Sequence, residues 1–144
     1  MKRALIIAAV VGFLAITVIV TRWLGNDTNE RAAVERLLEA QLRGDAVAML
    51  DQLQCPDQAC RDLARGNAGR LGARGELKIA LYQSQTAHAL ASRTRPTRVV
   101  WFIRPQETVV QCVLVSRKGN VLAGTSVSLL RLSAPLVDRE AGCP

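Results

Sequence analysis

The stretch TVVQCVLVSR, residues 108–117, decides the fold of this 144-residue chain. It is dominated by β-branched residues, which favour a strand. The stretch RVVWFIR, residues 98–104, has the same character, and the three residues between the two fit a hairpin connection. Lys118, Gly119 and Asn120 form a sharp turn signal before a third strand over residues 121–132. Leu77, Ile79 and Leu81 alternate with other residues and predict a fourth strand that continues towards residue 90.

Helical patterns precede the strands. Four apolar residues recur at intervals of three and four and predict an amphipathic helix: Val34, Leu37, Leu38 and Leu42. Asp27 and Glu30 have the spacing of a capping pair, so we expect this helix to begin there, after a short polar joint. Gly44 interrupts the pattern, and Asp45 can cap a second helix over residues 46–53. A short third helix over residues 57–65 and a glycine-rich loop over residues 66–75 follow.

Two or three helices followed by about four antiparallel strands make an α+β domain. The helix, the Arg43-Gly44-Asp45 step, the second helical stretch and the antiparallel sheet resemble the nuclear-transport-factor-two-like, or cystatin-like, cone fold over residues 28–135. This resemblance implies a curved sheet that wraps around the helices. The layout of a single N-terminal anchor before such a domain is similar to mammalian-cell-entry-associated membrane proteins and to bacterial envelope proteins of the same architecture.

The N-terminal segment ALIIAAVVGFLAITVIVT, residues 4–21, has no charged residue and as a helix spans about 27 Å. The alternative is a cleaved signal peptide, but branched side chains occupy its end, where a signal peptidase requires small ones. We therefore expect an uncleaved anchor over residues 1–25, a domain over 26–135 and a tail over 136–144. Lys2 and Arg3 precede the segment, which predicts a single-pass protein of the cytoplasmic membrane with its N-terminus inside and its domain outside.

Charge gives a weaker indication. The net charge is +7, from 19 basic and 12 acidic residues, and three of the basic residues flank the anchor. The remaining excess of +4 suits a location beside anionic lipid or cell-wall polymer. It argues against nucleic acid as a partner, because only 3% of the residues are aromatic. Seven basic residues of the strand region either form one basic sheet face or simply keep strand edges and turns soluble: Arg93, Arg95, Arg98, Arg104, Arg117, Lys118 and Arg131. Arg70 and Arg74 are expected to keep the glycine-rich loop soluble.

Four cysteines follow the anchor: Cys55, Cys60, Cys112 and Cys143. An external compartment allows disulfides, and two bridges allow three connectivities. We prefer Cys55 with Cys60, which closes a tight loop, and Cys112 with Cys143, which ties the tail to a strand. A zinc site is disfavoured because no second close cysteine pair accompanies Cys-x4-Cys, and a redox site because Cys-x-x-Cys is absent.

Candidate pocket residues are few. Some members of the cone superfamily are enzymes with acid–base residues inside the cone. Here Tyr82 and His88 are the candidates for that role, and Trp101 is a further candidate for the pocket. Glu107 is the only acid between residues 77 and 137, and it lies in a predicted turn. Tyr82 and His88 would lie about 20 Å apart on an ideal strand, too far to act as a pair. Trp101 and the adjacent Phe102 should face opposite sides of the sheet.

These patterns favour a non-catalytic envelope protein without a cofactor. Its domain would bind another protein, either as a homodimer through the sheet or as an accessory to a membrane complex. A second hypothesis is a small apolar or lipid ligand in the mouth of the cone. A third is an isomerase or dehydratase, which would require His88 or Tyr82 in a pocket beside a second polar group.

Overall fold

A computed structural model describes residues 2–73, 75–86, 91–104, 107–120, 124–137 and 142–143. Its helices and strands follow one another in the chain as α1 (Lys2–Leu42), α2 (Ala46–Gln52), α3 (Gln58–Leu71), β1 (Lys78–Gln83), β2 (Arg93–Arg104), β3 (Glu107–Asn120) and β4 (Gly124–Leu132). The strands form one antiparallel sheet in the order β1-β2-β3-β4. The predicted α+β class is confirmed.

Helix α1 is continuous, so the predicted joint at its centre and the predicted helix start at Asp27 are wrong. Polar residues 25–29 contain no proline and remain helical, and the hydroxyl of Thr28 donates to the carbonyl of Gly25 at 2.8 Å. Residues in the middle of a helix already have intrahelical partners for their backbone amides, so no cap is required here. The side chain of Glu30 points into the domain instead. Residues Leu5–Arg22 are long and apolar enough to span a membrane, and none of this window is buried. The predicted apolar stripe begins at Val34 and packs in the core.

Helices α2 and α3 are capped by aspartates. Asp45 accepts from the backbone amide of Ala48 at 2.9 Å, and Asp57 accepts from that of Cys60 at 2.7 Å. Helix α3 continues to Leu71, so the predicted loop from residue 66 is wrong over its first half, and Arg70 is helical. Glycine weakens a helix, but burial of one face of α3 offsets that cost. The buried residues of this face are Cys60, Ala64, Asn67, Ala68 and Leu71. Arg74 lies outside the described residues.

The strands differ from the prediction at their ends. Residues 118–120 belong to β3, and Asn120 pairs with Gly124, so the predicted turn at 118–120 is wrong. The predicted hairpin between β2 and β3 is confirmed, but the prediction that Glu107 lies in its turn is wrong, since Glu107 begins β3 and pairs with Arg104. Strand β1 ends at Gln83, so the continuation predicted beyond it is wrong up to Thr86, and the rest of it lies outside the described residues.

A register shift in β1 changes which residues face the helices. Ile79 lies opposite Trp101, whereas Leu81 lies opposite Val100, so Ala80 is an extra residue in the strand. A bulge of this kind reverses the alternation of side chains beyond it. Leu81, predicted to share the face of Ile79, is therefore 40% exposed, and Tyr82 takes the inward position instead.

The core lies between the inner face of the sheet and the helices. Its largest members include Leu37, Leu38, Met49 and Trp101, all fully buried. The indole nitrogen of Trp101 donates to Oε1 of Gln111 at 2.9 Å, and Gln41 of α1 donates to the same oxygen at 2.9 Å. Phe102 is half-buried, and strand alternation places it on the opposite face from Trp101, as predicted.

Two disulfides join the preferred cysteine pairs. The S–S distance is 2.05 Å for Cys55–Cys60 and 2.01 Å for Cys112–Cys143. The tail is not held by its disulfide alone. The backbone amides of Ser133 and Leu136 donate to the carbonyls of Cys112 and Val110, each at 2.8 Å, so the chain beyond β4 continues along β3.

Candidate functional site

A buried carboxylate marks the point where α1 enters the domain. Glu30 lies eight residues beyond Arg22, which ends the apolar window, and its side chain is 0% exposed. The residues around it come from three strands or strand ends: the end of β1 with the segment that follows it, β2, and β3. One side chain of α1 therefore holds together segments far apart in the sequence.

Every neighbour of the Glu30 carboxylate that the structure describes is a donor. Oε1 accepts from three hydroxyl groups, those of Tyr82 at 3.0 Å, Ser84 at 2.6 Å and Thr97 at 2.9 Å. Oε2 accepts from the guanidinium of Arg117 at 2.8 Å and from the hydroxyl of Thr86. A carboxylate offers about four lone-pair sites, so its accepting capacity is fully used.

The ion pair between Glu30 and Arg117 is as buried as an ion pair can be, since the two side chains are 0% and 1% exposed. Arg93 lies directly opposite Arg117 in the sheet. Like charges at opposed positions repel one another, and pairing of Arg117 with Glu30 relieves that repulsion. Removal of either partner would leave a buried charge without its counter-ion, which is costly.

Burial of Glu30 disfavours its charged form and would by itself raise its pKa. Hydrogen bonds from the hydroxyls of Ser84, Thr86, Thr97 and Tyr82 favour the charged form and outweigh burial, so the pKa of Glu30 lies below its ordinary value. Glu30 is thus a carboxylate at neutral pH. A buried, saturated and ionised group of this kind suits structure better than proton transfer, because a general base must reach its substrate.

Two of the three candidate pocket residues, Tyr82 and Trp101, are described, and they lie in different surroundings. The Tyr82 hydroxyl is bound to Glu30, and the Arg31 guanidinium carbon lies 5.8 Å from the centre of the Tyr82 ring. Trp101 is a fully buried core residue bound to Gln111. His88 lies outside the described residues.

Sequence reasoning missed the roles of Glu30 and Arg117. Glu30 fitted a capping pair, and Arg117 was grouped with six other basic strand residues. One signal was present: Arg117 directly follows nine residues, 108–116, none of which is charged. The alternation of β3 would have placed it on the same face as Val113 and Val115.

The described members of the seven basic strand residues do not share one face of the sheet. Arg117 is buried. Arg131 pairs with Asp57 at 2.8 Å, and the strand register places Arg131 on the opposite face of the sheet from Arg117. Arg98 donates to Gln83 at 3.3 Å, and the Arg104 side chain lies outside the described ones. The remaining three, Arg93, Arg95 and Lys118, are exposed near one end of the sheet.

The two edges of the sheet differ in what the described residues place beside them. At β4, Leu53 forms a bridge with Leu129, and the amide of Gln54 donates to the Leu129 carbonyl at 2.7 Å. Strand β1 pairs with β2 on one side and with no other strand of the described residues on its second side. Beside it, a groove of about 250 Å³ separates α1 from the start of β1. Arg31, Glu35 and Glu39 of α1 form its polar wall, and Leu77 and Ile79 form its apolar wall.

Within the described residues, no group of three His, Cys, Asp or Glu side chains has the arrangement of a metal site. Comparison with protein-family models, with curated proteins and with solved structures found no match to this chain. The likeness to the cystatin-like cone and to mammalian-cell-entry-associated proteins therefore stays a prediction.

Proposed function

We propose that this chain is a single-pass protein of the cytoplasmic membrane, whose domain lies outside the cytoplasm and acts by binding another protein rather than by catalysis. The observation that carries the proposal is that the two halves of helix α1 lie in different surroundings. Its window Leu5–Arg22 is entirely exposed and apolar, whereas Val34, Leu37 and Leu38 of the same helix are fully buried in the domain. Exposed apolar side chains over such a length suit contact with hydrocarbon.

Chemistry on both sides of this window supports the proposed compartment. Lys2 and Arg3 precede it and favour an N-terminus inside. The two disulfides favour an oxidising environment for the domain. An N-terminal apolar helix also suits a signal sequence, but the continuity of α1 into the core favours retention, because cleavage would cut a helix that the domain packs upon.

Protein binding is supported by the open edge of β1. An unpaired strand edge presents backbone donors and acceptors to which a second extended chain can add. Leu81 is 40% exposed in this strand, and the groove between α1 and Ile79 lies beside it. Ligand binding inside the cone is less well supported, since the interior holds the fully buried side chains of Leu37, Trp101 and Gln111.

Membrane retention is tested by alkaline carbonate extraction of membranes that contain the full chain. We expect the chain to stay in the pellet at full length. Release of a shortened chain into the supernatant would show a cleaved leader and overturn the anchor. Protease treatment of intact spheroplasts then tests orientation, because an external domain is digested without lysis.

Protein binding is tested by a photo-crosslinking amino acid at Leu81, with Val47 of α2 as the matched control. Both side chains are exposed and apolar, at 40% and 71%, but only Leu81 lies on the open strand. We expect a discrete crosslinked product from position 81 alone. A product of twice the chain mass identifies a second copy, and another mass identifies a membrane-complex partner. Absence of a product, or the same products from both positions, would contradict the proposal.

A further inference from the structure

The direction of the domain relative to the apolar window can be read from two contacts of α1. Gln41 contacts Gln111, which lies opposite Val99 in the sheet. Glu30, eleven residues closer to the apolar window, contacts Thr97 and Arg117 instead. Along α1 towards the window, the contacts therefore move towards the beginning of β2 and the end of β3.

The same end of the sheet extends to the level of the window. Arg22 precedes Glu30 by about 12 Å along the helix axis. Strand β3 continues three residues beyond Arg117, which is about 10 Å. Gly119, in this extension, donates its amide to the Ser92 hydroxyl at 3.0 Å, so the start of β2 accompanies the hairpin. The two lengths are similar, which indicates that the end of β3 and the start of β2 reach about as far as the end of the apolar window.

Among the described side chains, the exposed charges at this end are positive. Arg93 and Arg95 lie at the beginning of β2, and Lys118 lies near the end of β3. All three side chains are exposed, and none of them forms an ion pair within the described part of the chain. The Glu30 carboxylate is buried and neutralised by Arg117, so it does not offset them at the surface.

We propose that Arg93, Arg95 and Lys118 form a membrane-facing basic end that binds anionic phospholipid headgroups of the bilayer that holds α1. The inference rests on the proposed anchor, since the apolar window fixes where the bilayer begins. Basic residues near an anionic surface contribute roughly a fivefold gain in binding each. The three together shift the equilibrium between the docked and undocked domain by roughly a hundredfold.

The test uses the full chain in nanodiscs of phosphatidylcholine, with or without phosphatidylglycerol, and hydrogen–deuterium exchange of the peptides that contain the three residues. We expect slower exchange of the membrane-facing basic end in the discs with phosphatidylglycerol. The variant R93Q/R95Q/K118Q should lose this protection. Its control, R43Q/R65Q/R70Q, removes the same charge from α3 and from the residue that follows α1, and it should keep the protection.

Each other outcome overturns the inference. Equal exchange in both lipids excludes headgroup binding, and loss of protection in both variants indicates a response to net charge alone. Protection that appears only when a soluble anionic wall polymer is added assigns the basic end to that polymer. If the chain fails to enter the discs and is also released by carbonate, the anchor itself is wrong, which separates that failure from the failure of lipid binding.

Discussion

Replacement of Glu30 by glutamine should destabilise the domain by about 3–5 kcal/mol, the usual cost of breaking a buried ion pair. The guanidinium of Arg117 would remain 1% exposed and lose its charged partner. The glutamine oxygen has two lone pairs, so it could accept from only part of the four hydroxyls that donate to the carboxylate. A domain of this size has a free energy of unfolding of about 5–15 kcal/mol, so the variant should fold but melt at a lower temperature.

The sharper expectation concerns the sign of a second substitution. Replacement of Arg117 by methionine in the wild type should destabilise the domain, because it leaves the Glu30 carboxylate buried without its counter-ion. In the E30Q background, the same substitution should stabilise the domain, because it removes a buried cation that has lost the charge of Glu30. A packing role for Arg117 would instead give destabilisation in both backgrounds.

Urea unfolding of the full chain in mild detergent measures these effects. Far-ultraviolet circular dichroism and the fluorescence of Trp101, in a W23F background, provide two probes of the same transition. The control is E35Q, on the same helix, where the exposed pair of Arg31 and Glu35 should contribute about 0.2–1 kcal/mol. A loss below about 1 kcal/mol for E30Q would refute the reasoning from buried charge.

Three further predictions concern pH, a disulfide and a glycine. The pKa of Glu30 is lower in the folded than in the unfolded state. Its contribution to the free energy of unfolding is therefore complete above the unfolded value of about 4.3 and is lost as pH falls through the folded pKa. E30Q should flatten this part of a pH–stability curve measured by urea unfolding. The substitution of both Cys112 and Cys143 by serine should cost about 4 kcal/mol, and loss of the shorter disulfide about 2 kcal/mol, since the closed loops differ in length; equal losses in urea unfolding would contradict this. Gly119 has φ of +106°, and a Cβ there would lie 2.2 Å from the carbonyl oxygen of Gly124, whereas Gly124 has φ of +91° and open space, so G119A should lower the melting temperature more than G124A.

The elements that could be predicted from the sequence are those whose pattern is local. The 3.6-residue stripe of α1, the aspartate cap of α2 and the alternation in the central strands depend on neighbouring residues. The end of α3 could not be predicted, because burial of Ala64 and Ala68 carries the helix past two glycines. The inward turn of Tyr82 follows from the bulge at Ala80, which only the pairing with β2 reveals.

The buried carboxylate was beyond local reasoning for the same reason. Glu30 is separated from Arg117 by 87 residues, and from its hydroxyl donors by at least 52. Spacing relates residues within one helix or strand, and it says nothing of contacts made by tertiary packing. The cysteine pairing was easier, because one pair lies only five residues apart in the sequence.

The continuity of α1 also fixes the rotation of the sheet about the helix axis, relative to the apolar window. A helix turns about 100° with each residue, so the number of residues between Arg22 and Glu30 determines which side of the apolar window the sheet lies on. One alanine inserted there would rotate the sheet by about 100° around the helix axis, while every contact of the core is kept. Two insertions would carry the open strand β1 to nearly the opposite side. The direction from which a partner must approach is thus set by the seven residues between Arg22 and Glu30.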